Sequence, residues 1–164
     1  FHARYSAREK TYRYLLASGR VGPFDGRFAW VVPHALDPAA MAAAAPLLEG
    51  EHDFAAFQST GTRVAHARRR IVRSAVRECG LADMLGQALR PAAAGTPDAR
   101  LFSYEVTDDG FLRHMVRAIA GSLVEIGAGR REPSWLGEVL REGARGQAGP
   151  TAPACGLFLV GVGY

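Results

Sequence analysis

Two arginines lie one helical turn apart in GFLRHMVRAIAGSLVEIG, residues 110–127, a segment with the apolar spacing of one helix. At about 100° per residue, its large apolar side chains form one stripe, which predicts a core-facing surface. Arg113 and Arg117 fall on the opposite face, without the Glu–Lys pairs that are typical of a solvated helix. Their guanidinium groups can bind a carboxylate or a phosphate there. A plain surface helix in an arginine-rich chain is the alternative that this segment, taken alone, favours.

A second concentration of positive charge lies in RVAHARRRIVRSAVR, residues 63–77. This segment holds six arginines and no acidic residue, whereas the whole chain has a formal net charge of +4. The basic character is therefore local, and a local basic patch is typical of a protein that binds a polyanion. The arginines at 68–70 can neutralise phosphates. Alternatively, they protect an exposed edge strand from aggregation.

Aromatic and histidine side chains offer further chemistry. Tyr12 can be a stacking platform for a nucleobase, although a core tyrosine on a strand is the commoner arrangement. Five polar residues have the types needed for a hydrolase triad: His52, His66, His114, Asp53 and Ser59. However, the chain contains neither GxSxG nor the HxxxH spacing of a metal site. It also contains neither GxGxxG nor GKS/T, so no nucleotide cofactor is predicted.

Length and composition fit one domain with a substantial core, because 48% of the 164 residues are hydrophobic. No run of about 18 apolar residues is present, so no membrane-spanning segment is predicted, and no signal peptide is visible. Cys79 and Cys155 are too few and too far apart for a disulfide framework or a metal site, which favours a reduced, cytoplasmic setting. The opening FHARYSAREK has no initial Met, and we expect a fragment or a processed half of a longer protein.

Five segments have the alternation or the aromatic and β-branched composition of strands. They lie at 11–18, 27–32, 69–79, 101–109 and 156–164. On the first strand, alternation places Tyr12 and Tyr14 on one face and Arg13 on the other. Strands at both ends of the chain with helices between them predict an α+β fold, an antiparallel sheet with helices mainly on one face. The segment 81–100, rich in Ala, Gly and Pro, is predicted to be a loop or an insertion.

Helices are predicted where apolar residues repeat at helical spacing after a capping residue. They cover 38–50, 110–127 and 133–143, with a shorter helical turn at 52–57. Asp37 is the expected N-cap of the first helix, in which Pro46 introduces a kink or an early stop. Asp108 or Asp109 is expected to cap the second helix, and Pro133 to take the first position of the third.

Four segments together resemble, in order, the C-terminal half of the tRNA pseudouridine synthase A family. They are FHARYSAREKTYRYLL, LEGEHDFAAF, GFLRHMVRAIAGSLVEIG and APACGLFLVGVGY, and the match runs over residues 1–164. The F-L-x-H-M-V-R motif is quite specific to the family. The resemblance implies one half of a pseudouridine synthase fold, with the catalytic cleft between this domain and a similar N-terminal half.

For function, the resemblance implies an enzyme that isomerises uridine to pseudouridine at positions 38–40, in the anticodon stem-loop of tRNA. It implies that neither a metal nor an organic cofactor takes part. It also implies a homodimer that holds tRNA across both subunits. A non-catalytic RNA-binding or dimerisation module with the same fold is the alternative.

The resemblance also assigns roles to individual residues. Tyr12 matches the active-site tyrosine of the family's R/K-x-Y-x-Y segment, which would pack on the flipped uracil. Arg117 matches the arginine of M-V-R, which pairs with the catalytic aspartate. Leu157, in the G-L-x-L segment, matches an apolar residue that lines the base pocket.

Three further residues are expected to contact the substrate. Arg69 resembles the arginine of the family's R-x-I strand and is expected at the RNA or in the cleft. Arg113 occupies a variable position, for which a phosphate contact is expected. His114 belongs to the F-L-x-H-M-V-R motif and is expected to contribute to substrate binding. Small residues beside the arginines, among them Gly121, are expected to let the other half-domain or the RNA come close.

The family's nucleophilic aspartate lies in a G-R-T-D-A-G loop of the N-terminal half, a string that this sequence does not contain. The nearest string, VTDDG at 106–110, lacks the arginine and directly precedes the F-L-x-H-M-V-R motif. A carboxylate nucleophile must stay ionised in a dry pocket, and a buried arginine keeps it so. We therefore expect Arg117 to have no carboxylate partner within this chain, and the isolated chain to be inactive.

Overall fold

A six-stranded sheet forms the centre of the fold in the computed structural model, which describes residues 2, 6–19, 25–59, 66–80, 100–144 and 146–164. The strands are β1 (Glu9–Ser18), β2 (Trp30–Val32), β3 (Gly50–Asp53), β4 (Arg68–Cys79), β5 (Arg100–Asp108) and β6 (Leu157–Gly163). Within the described ranges, the α-helices are α1 (Pro38–Ala44), α2 (Met115–Gly127) and α3 (Trp135–Glu142). The predicted α+β class is confirmed.

Strand β1 occupies the middle of the sheet. On one side β5 lies antiparallel along β1, and β4 and then β3 follow outward, each antiparallel to its neighbour. On the other side β6 pairs antiparallel with the first part of β1, and β2 pairs parallel with its last residues, Leu16–Ser18. Among the described strands, β2 alone departs from the antiparallel arrangement that the sequence predicts.

Alternation along the strands separates two faces of the sheet. Tyr14 of β1 and both Phe102 and Tyr104 of β5 are fully buried on the inner face, where the main core also includes residues of all the described helices. Arg13 lies on the outer face and forms an ion pair with Glu105 at 3.0 Å. The helices therefore pack on one face of the sheet, as predicted.

Helix α2 is buried on almost all sides, since every residue except Arg117 and Glu125 is classed as buried. Its apolar stripe packs into the core as predicted. The opposite face is covered by residues 146–153, which we call the C-terminal strap. A Cβ atom on Gly121 would lie 1.7 Å from the Pro150 carbonyl oxygen. At Gly121 the small residues of α2 thus accommodate the chain's own strap instead of another half-domain or RNA, whereas Arg117 and Ala118 near the start of the helix line an open cleft.

The start of α2 also differs from the prediction. The helix begins at Met115 instead of residue 110, and no side chain caps it. Asp108 instead accepts a hydrogen bond from the Gly110 N–H at 2.8 Å, so the expected capping by Asp108 or Asp109 is wrong. The turn that precedes α2 keeps the apolar spacing of a helix without being helical, since its Leu112 also packs into the core.

The caps of the other helices follow the sequence more closely. Asp37 caps α1 by accepting hydrogen bonds from two backbone N–H groups, and the helix gives way to a 3₁₀ turn at 45–48 that contains Pro46. Pro133 precedes the N-cap Ser134 of α3 instead of taking its first position. No described helix is long and apolar enough to span a membrane.

Three shorter segments are predicted incompletely. The strand predicted at 27–32 is confirmed only as β2, because a 3₁₀ turn ends at Arg27 and the chain turns again before Trp30. The helical turn predicted at 52–57 is present at 55–57, but β3 precedes it and is too short to show alternation. The insertion predicted at 81–100 lies outside the described residues, except for Arg100, which begins β5.

Replacing Gly121 by alanine should lower the free energy of unfolding, because the added methyl group would overlap the Pro150 carbonyl. We expect a loss of about 1–3 kcal/mol from overpacking, in place of the gain of about 1 kcal/mol that Gly→Ala brings in an open helix. Gly137→Ala in α3 is the matched control, since nothing lies within 4 Å of a Cβ there. Urea unfolding measures the stability of both variants. If Gly121→Ala is as stable as Gly137→Ala, the close packing of the strap on Gly121 is contradicted.

Candidate active site

An open cleft of about 540 Å³ lies beside the start of α2. Arg113, His114 and Arg117 line one part of it, and residues of the C-terminal strap and of the segment 56–59 line the rest. The Ser59 N–H donates to the Arg113 carbonyl oxygen at 3.2 Å, which ties this segment to the turn before α2. No carboxylate is among the described lining residues, so the cleft is positively charged.

The positive charge of this cleft comes from guanidinium groups and not from the imidazole. Desolvation lowers the pKa of His114, and the charges of Arg117 and Arg113 add to the effect. The ring is therefore neutral at pH 7. The His114 backbone has a φ of 64°, a left-handed conformation that is uncommon for a residue with a side chain. This conformation turns the chain into α2 and fixes where the helix begins.

Arg117 is half-buried and is held through one edge of its guanidinium group. Its Nε donates a hydrogen bond to the Ala152 carbonyl oxygen at 2.6 Å, and the Ala152 N–H donates to the Arg117 carbonyl oxygen at 3.1 Å. None of the ion pairs in the described part of the chain involves Arg117. Nη1 and Nη2 thus remain available, and a guanidinium group can bind a carboxylate through two parallel hydrogen bonds.

Tyr12 and Leu157 lie on the inner face of the sheet, at the margin of the core. Tyr12 is half-buried, and its ring meets the Phe111 ring edge-on with centroids 5.0 Å apart. Leu157 begins β6 opposite Tyr14 of β1 and is also half-buried. An aromatic ring and an apolar side chain on one face can form the walls of a base-binding pocket.

Arg69 lies in a second open cleft, of about 840 Å³. Four cationic side chains line this cleft, those of Lys10, Arg68, Arg69 and Arg70, together with His66 and the two carboxylates of Glu51 and Asp109. Arg69 donates through Nη1 to backbone carbonyl oxygens of its own strand region. Phe111 also lines this cleft, whereas Arg113 lines the first one. Arg113, His114 and Arg117 therefore line one cleft, and Arg69 lines the other.

The residues considered for a hydrolase triad do not form one. The His52 ring hydrogen-bonds to the Glu49 carbonyl oxygen at 2.8 Å, and Asp53 accepts from a backbone N–H. In the described part of the chain, neither His66 nor His114 makes a hydrogen bond to a carboxylate or a hydroxyl group. No cluster of three metal-ligating side chains is found among the described residues.

One buried acid was missed by the sequence reasoning. Asp108 at the end of β5 is fully buried, and its Oδ2 has no hydrogen-bond partner among the described residues. Burial raises the pKa of Asp108 to about 7, the neighbouring carboxyl group of Asp109 adds to the rise, and the Arg69 charge opposes it. The alternation of β5 is the signal that could have revealed it, since Asp108 follows Tyr104 and Val106 on the inner face.

Residues 44–164 match the family model described as tRNA pseudouridine synthase, and the chain belongs to this family. Its relatives include the tRNA pseudouridine synthase A of Syntrophotalea carbinolica, 43% identical over 166 residues. Another is the tRNA pseudouridine synthase A of Moorella thermoacetica, 39% identical over 165 residues. The alignments cover 100% of this chain but only 58% and 59% of these two relatives, so the chain spans less than two thirds of their length. The resemblance inferred from the sequence is confirmed.

The buried carboxyl group of Asp108 should make stability depend on pH. Because its folded pKa of about 7 lies above the usual aspartate value of 3.8, the protonated form stabilises the fold at low pH. That stability is lost as the pH rises from about 4 to 7. Relative to Asp108→Asn, the free energy of unfolding should fall by up to about 4 kcal/mol over this range, at about 1.4 kcal/mol per unit of pKa shift.

The measurement is urea unfolding at several pH values between 4 and 8. Asp53→Asn is the matched control, since Asp53 is exposed and caps the N–H two residues on, as Asp108 does. A pH dependence of Asp108→Asn no larger than that of Asp53→Asn would contradict the perturbation of the Asp108 carboxyl group by burial.

Proposed function

We propose that residues 1–164 form the C-terminal catalytic-fold domain of an enzyme that converts uridine to pseudouridine in the anticodon stem-loop of tRNA. The half-buried guanidinium group of Arg117 carries the proposal. It is bound through Nε and has no carboxylate partner in the described chain. A partly desolvated charge is costly unless its remaining hydrogen bonds are completed. An aspartate supplied by an N-terminal half of the protein would complete them.

The chemistry needs an ionised carboxylate at a site that excludes water. Burial by itself raises the pKa of a carboxyl group, whereas a nearby guanidinium group lowers it. We assign this task to Arg117, whose two terminal nitrogens would hold the nucleophilic aspartate ionised and in one orientation. Arg113 is exposed in the same cleft, where it can contact a phosphate of the substrate.

The target uridine must leave the stem before its glycosidic bond can break. Tyr12 offers the flat ring on which the flipped uracil would pack, and Leu157 offers an apolar wall that excludes water. Both side chains are half-buried on the inner face of the sheet, which leaves part of each accessible to a base. The neutral ring of His114 can make one further hydrogen bond to the substrate.

Strand β6 supports the association with an N-terminal half. In the described chain it pairs with β1 alone, which leaves its other edge unpaired there. Large apolar side chains of β6 are 37% to 52% exposed: Leu159, Val160 and Val162. An open apolar edge of this kind promotes aggregation unless something covers it. We assign this edge to the N-terminal half-domain.

The basic cleft around Arg69 supports binding of tRNA. Its arginines stand on the edge of the sheet formed by β3 and β4, where a polyanion can reach them. Following the family resemblance, we assign Arg69 to RNA contact and propose a homodimer with tRNA held across both subunits. The work of such an enzyme lies in the cytoplasm, where tRNA is used.

A non-catalytic RNA-binding or dimerisation module would need the basic cleft but not the arrangement around Arg117. Mapping pseudouridine in unmodified tRNA that has been incubated with the complete protein distinguishes this module from the enzyme. Pseudouridine in the anticodon arm supports the enzyme. Bound tRNA without any pseudouridine supports the module.

Arg117→Ala in the complete protein should lower pseudouridine formation by about 100-fold or more, the usual scale for loss of a charge-stabilising group. Binding of tRNA should change little, since one cation among many is removed. Arg130→Ala is the matched control, because Arg130 follows α2 at its far end and pairs with Glu125 on the surface. This control should keep full activity. Full activity of Arg117→Ala would refute the role assigned to this residue.

A further inference from the structure

Tyr14 connects the centre of the sheet to the chain segment that leads into β6. Its ring is fully buried in the middle of β1. Its hydroxyl group donates a hydrogen bond to the Pro153 carbonyl oxygen at 2.5 Å. Burial raises the pKa of Tyr14 above the usual range of a tyrosine. The hydroxyl therefore stays protonated and acts as a permanent donor at any pH at which the protein functions.

The residue that Tyr14 holds is adjacent to the one that orients Arg117. The carbonyl oxygen of Ala152 accepts from Arg117 Nε, and the next carbonyl oxygen, that of Pro153, accepts from Tyr14. Consecutive carbonyl groups are thus fixed by two different side chains. If the Tyr14 hydroxyl is removed, the Pro153 carbonyl loses its donor, and the Ala152 carbonyl can rotate together with the backbone that connects them.

The same ring also positions the start of β6. Gly156 packs so closely on Tyr14 that an added Cβ atom would lie 2.9 Å from Cζ of the ring and 2.6 Å from the Leu15 carbonyl oxygen. The next residue, Leu157, lies opposite Tyr14 in the pairing of β1 with β6. The short turn at 154–156 is therefore held at both ends by one side chain.

We propose that Tyr14 is a positioning residue, which sets the orientation of the Arg117 guanidinium group and the place of Leu157 through the backbone of residues 152–157. This inference rests on the proposed function, because it concerns how the carboxylate-binding group and the wall of the base pocket are held in register. Tyr14 itself touches neither the substrate nor the reacting atoms. Its effect should appear in the rate of the chemical step.

The chain offers a closely matched control in Tyr104. It lies directly opposite Tyr14 in the pairing of β1 with β5 and is equally buried. Its hydroxyl group also has one hydrogen-bond partner, the Ser74 hydroxyl of β4 at 3.2 Å, and neither hydroxyl hydrogen-bonds to the described strap or to Arg117. Tyr104→Phe therefore removes a buried hydroxyl from the same region without touching the proposed path.

The experiment compares Tyr14→Phe and Tyr104→Phe in the complete protein by steady-state kinetics on unmodified tRNA. We expect Tyr14→Phe to lower kcat by about tenfold and to leave KM within about twofold of the unmodified protein. A misoriented Arg117 slows the chemical step more than it weakens substrate binding. Tyr104→Phe should leave kcat within about twofold of the unmodified protein. Urea unfolding of both variants establishes that each is folded and measures how much stability the lost hydroxyl removes.

A double-mutant cycle with Arg117→Lys provides the readout that a merely structural role would not move. Lysine keeps the charge but cannot reproduce the fork of the guanidinium group. Tyr14→Phe should therefore lower kcat much less in that background than in the unmodified protein. Equal effects in both backgrounds, a change in KM alone, or the same kcat in both phenylalanine variants would overturn the inference. If Arg117→Ala keeps full activity, the proposed function of the site is wrong. That result is separate from the comparison of the two phenylalanine variants, which tests the role of Tyr14 alone.

Discussion

The hydrogen bond between Arg117 Nε and the Ala152 carbonyl oxygen is the contact on which the candidate site depends. It occupies one edge of the guanidinium group and leaves the two terminal nitrogens for the cleft. The bond exists because the strap can reach α2, and the strap reaches α2 because Gly121 has no side chain. Ser122 strengthens the attachment, since its Oγ accepts a hydrogen bond from the Gly149 N–H at 2.9 Å. A helix surface of small residues is thereby converted into a support for one charged group.

The same stretch of chain serves three purposes in succession. Residues 146–153 hold Arg117, Leu157 belongs to the proposed apolar wall, and β6 presents the edge that we assign to an N-terminal half. If these assignments hold, the group that binds the carboxylate, the base pocket and the domain contact are joined by one short stretch of backbone. Such a connection would help a site divided between two half-domains to keep the geometry that catalysis demands.

Local patterns predicted most of the fold, and long-range contacts account for the misses. Alternation identified the long strands and capping chemistry identified α1, because both depend on neighbours in sequence. The start of α2 was misplaced, since the turn after Asp108 preserves helical spacing without being helical. Family motifs pointed to Tyr12, Arg117 and Leu157 as site residues. The motifs did not predict the strap, because its contacts with α2 join residues more than 25 positions apart. Gly149 and Ser122, for example, form a hydrogen bond across 27 positions of the sequence.

We propose that Arg117 is oriented by this chain and that a carboxylate from outside it completes its hydrogen bonds. A crystal structure of the complete protein tests this directly. We expect Nε to remain bound to the Ala152 carbonyl oxygen, and both terminal nitrogens to lie about 2.8 Å from the oxygens of an aspartate in the N-terminal half. An Arg117 side chain that has left Ala152, or that faces solvent with no carboxylate beside it, would contradict this arrangement.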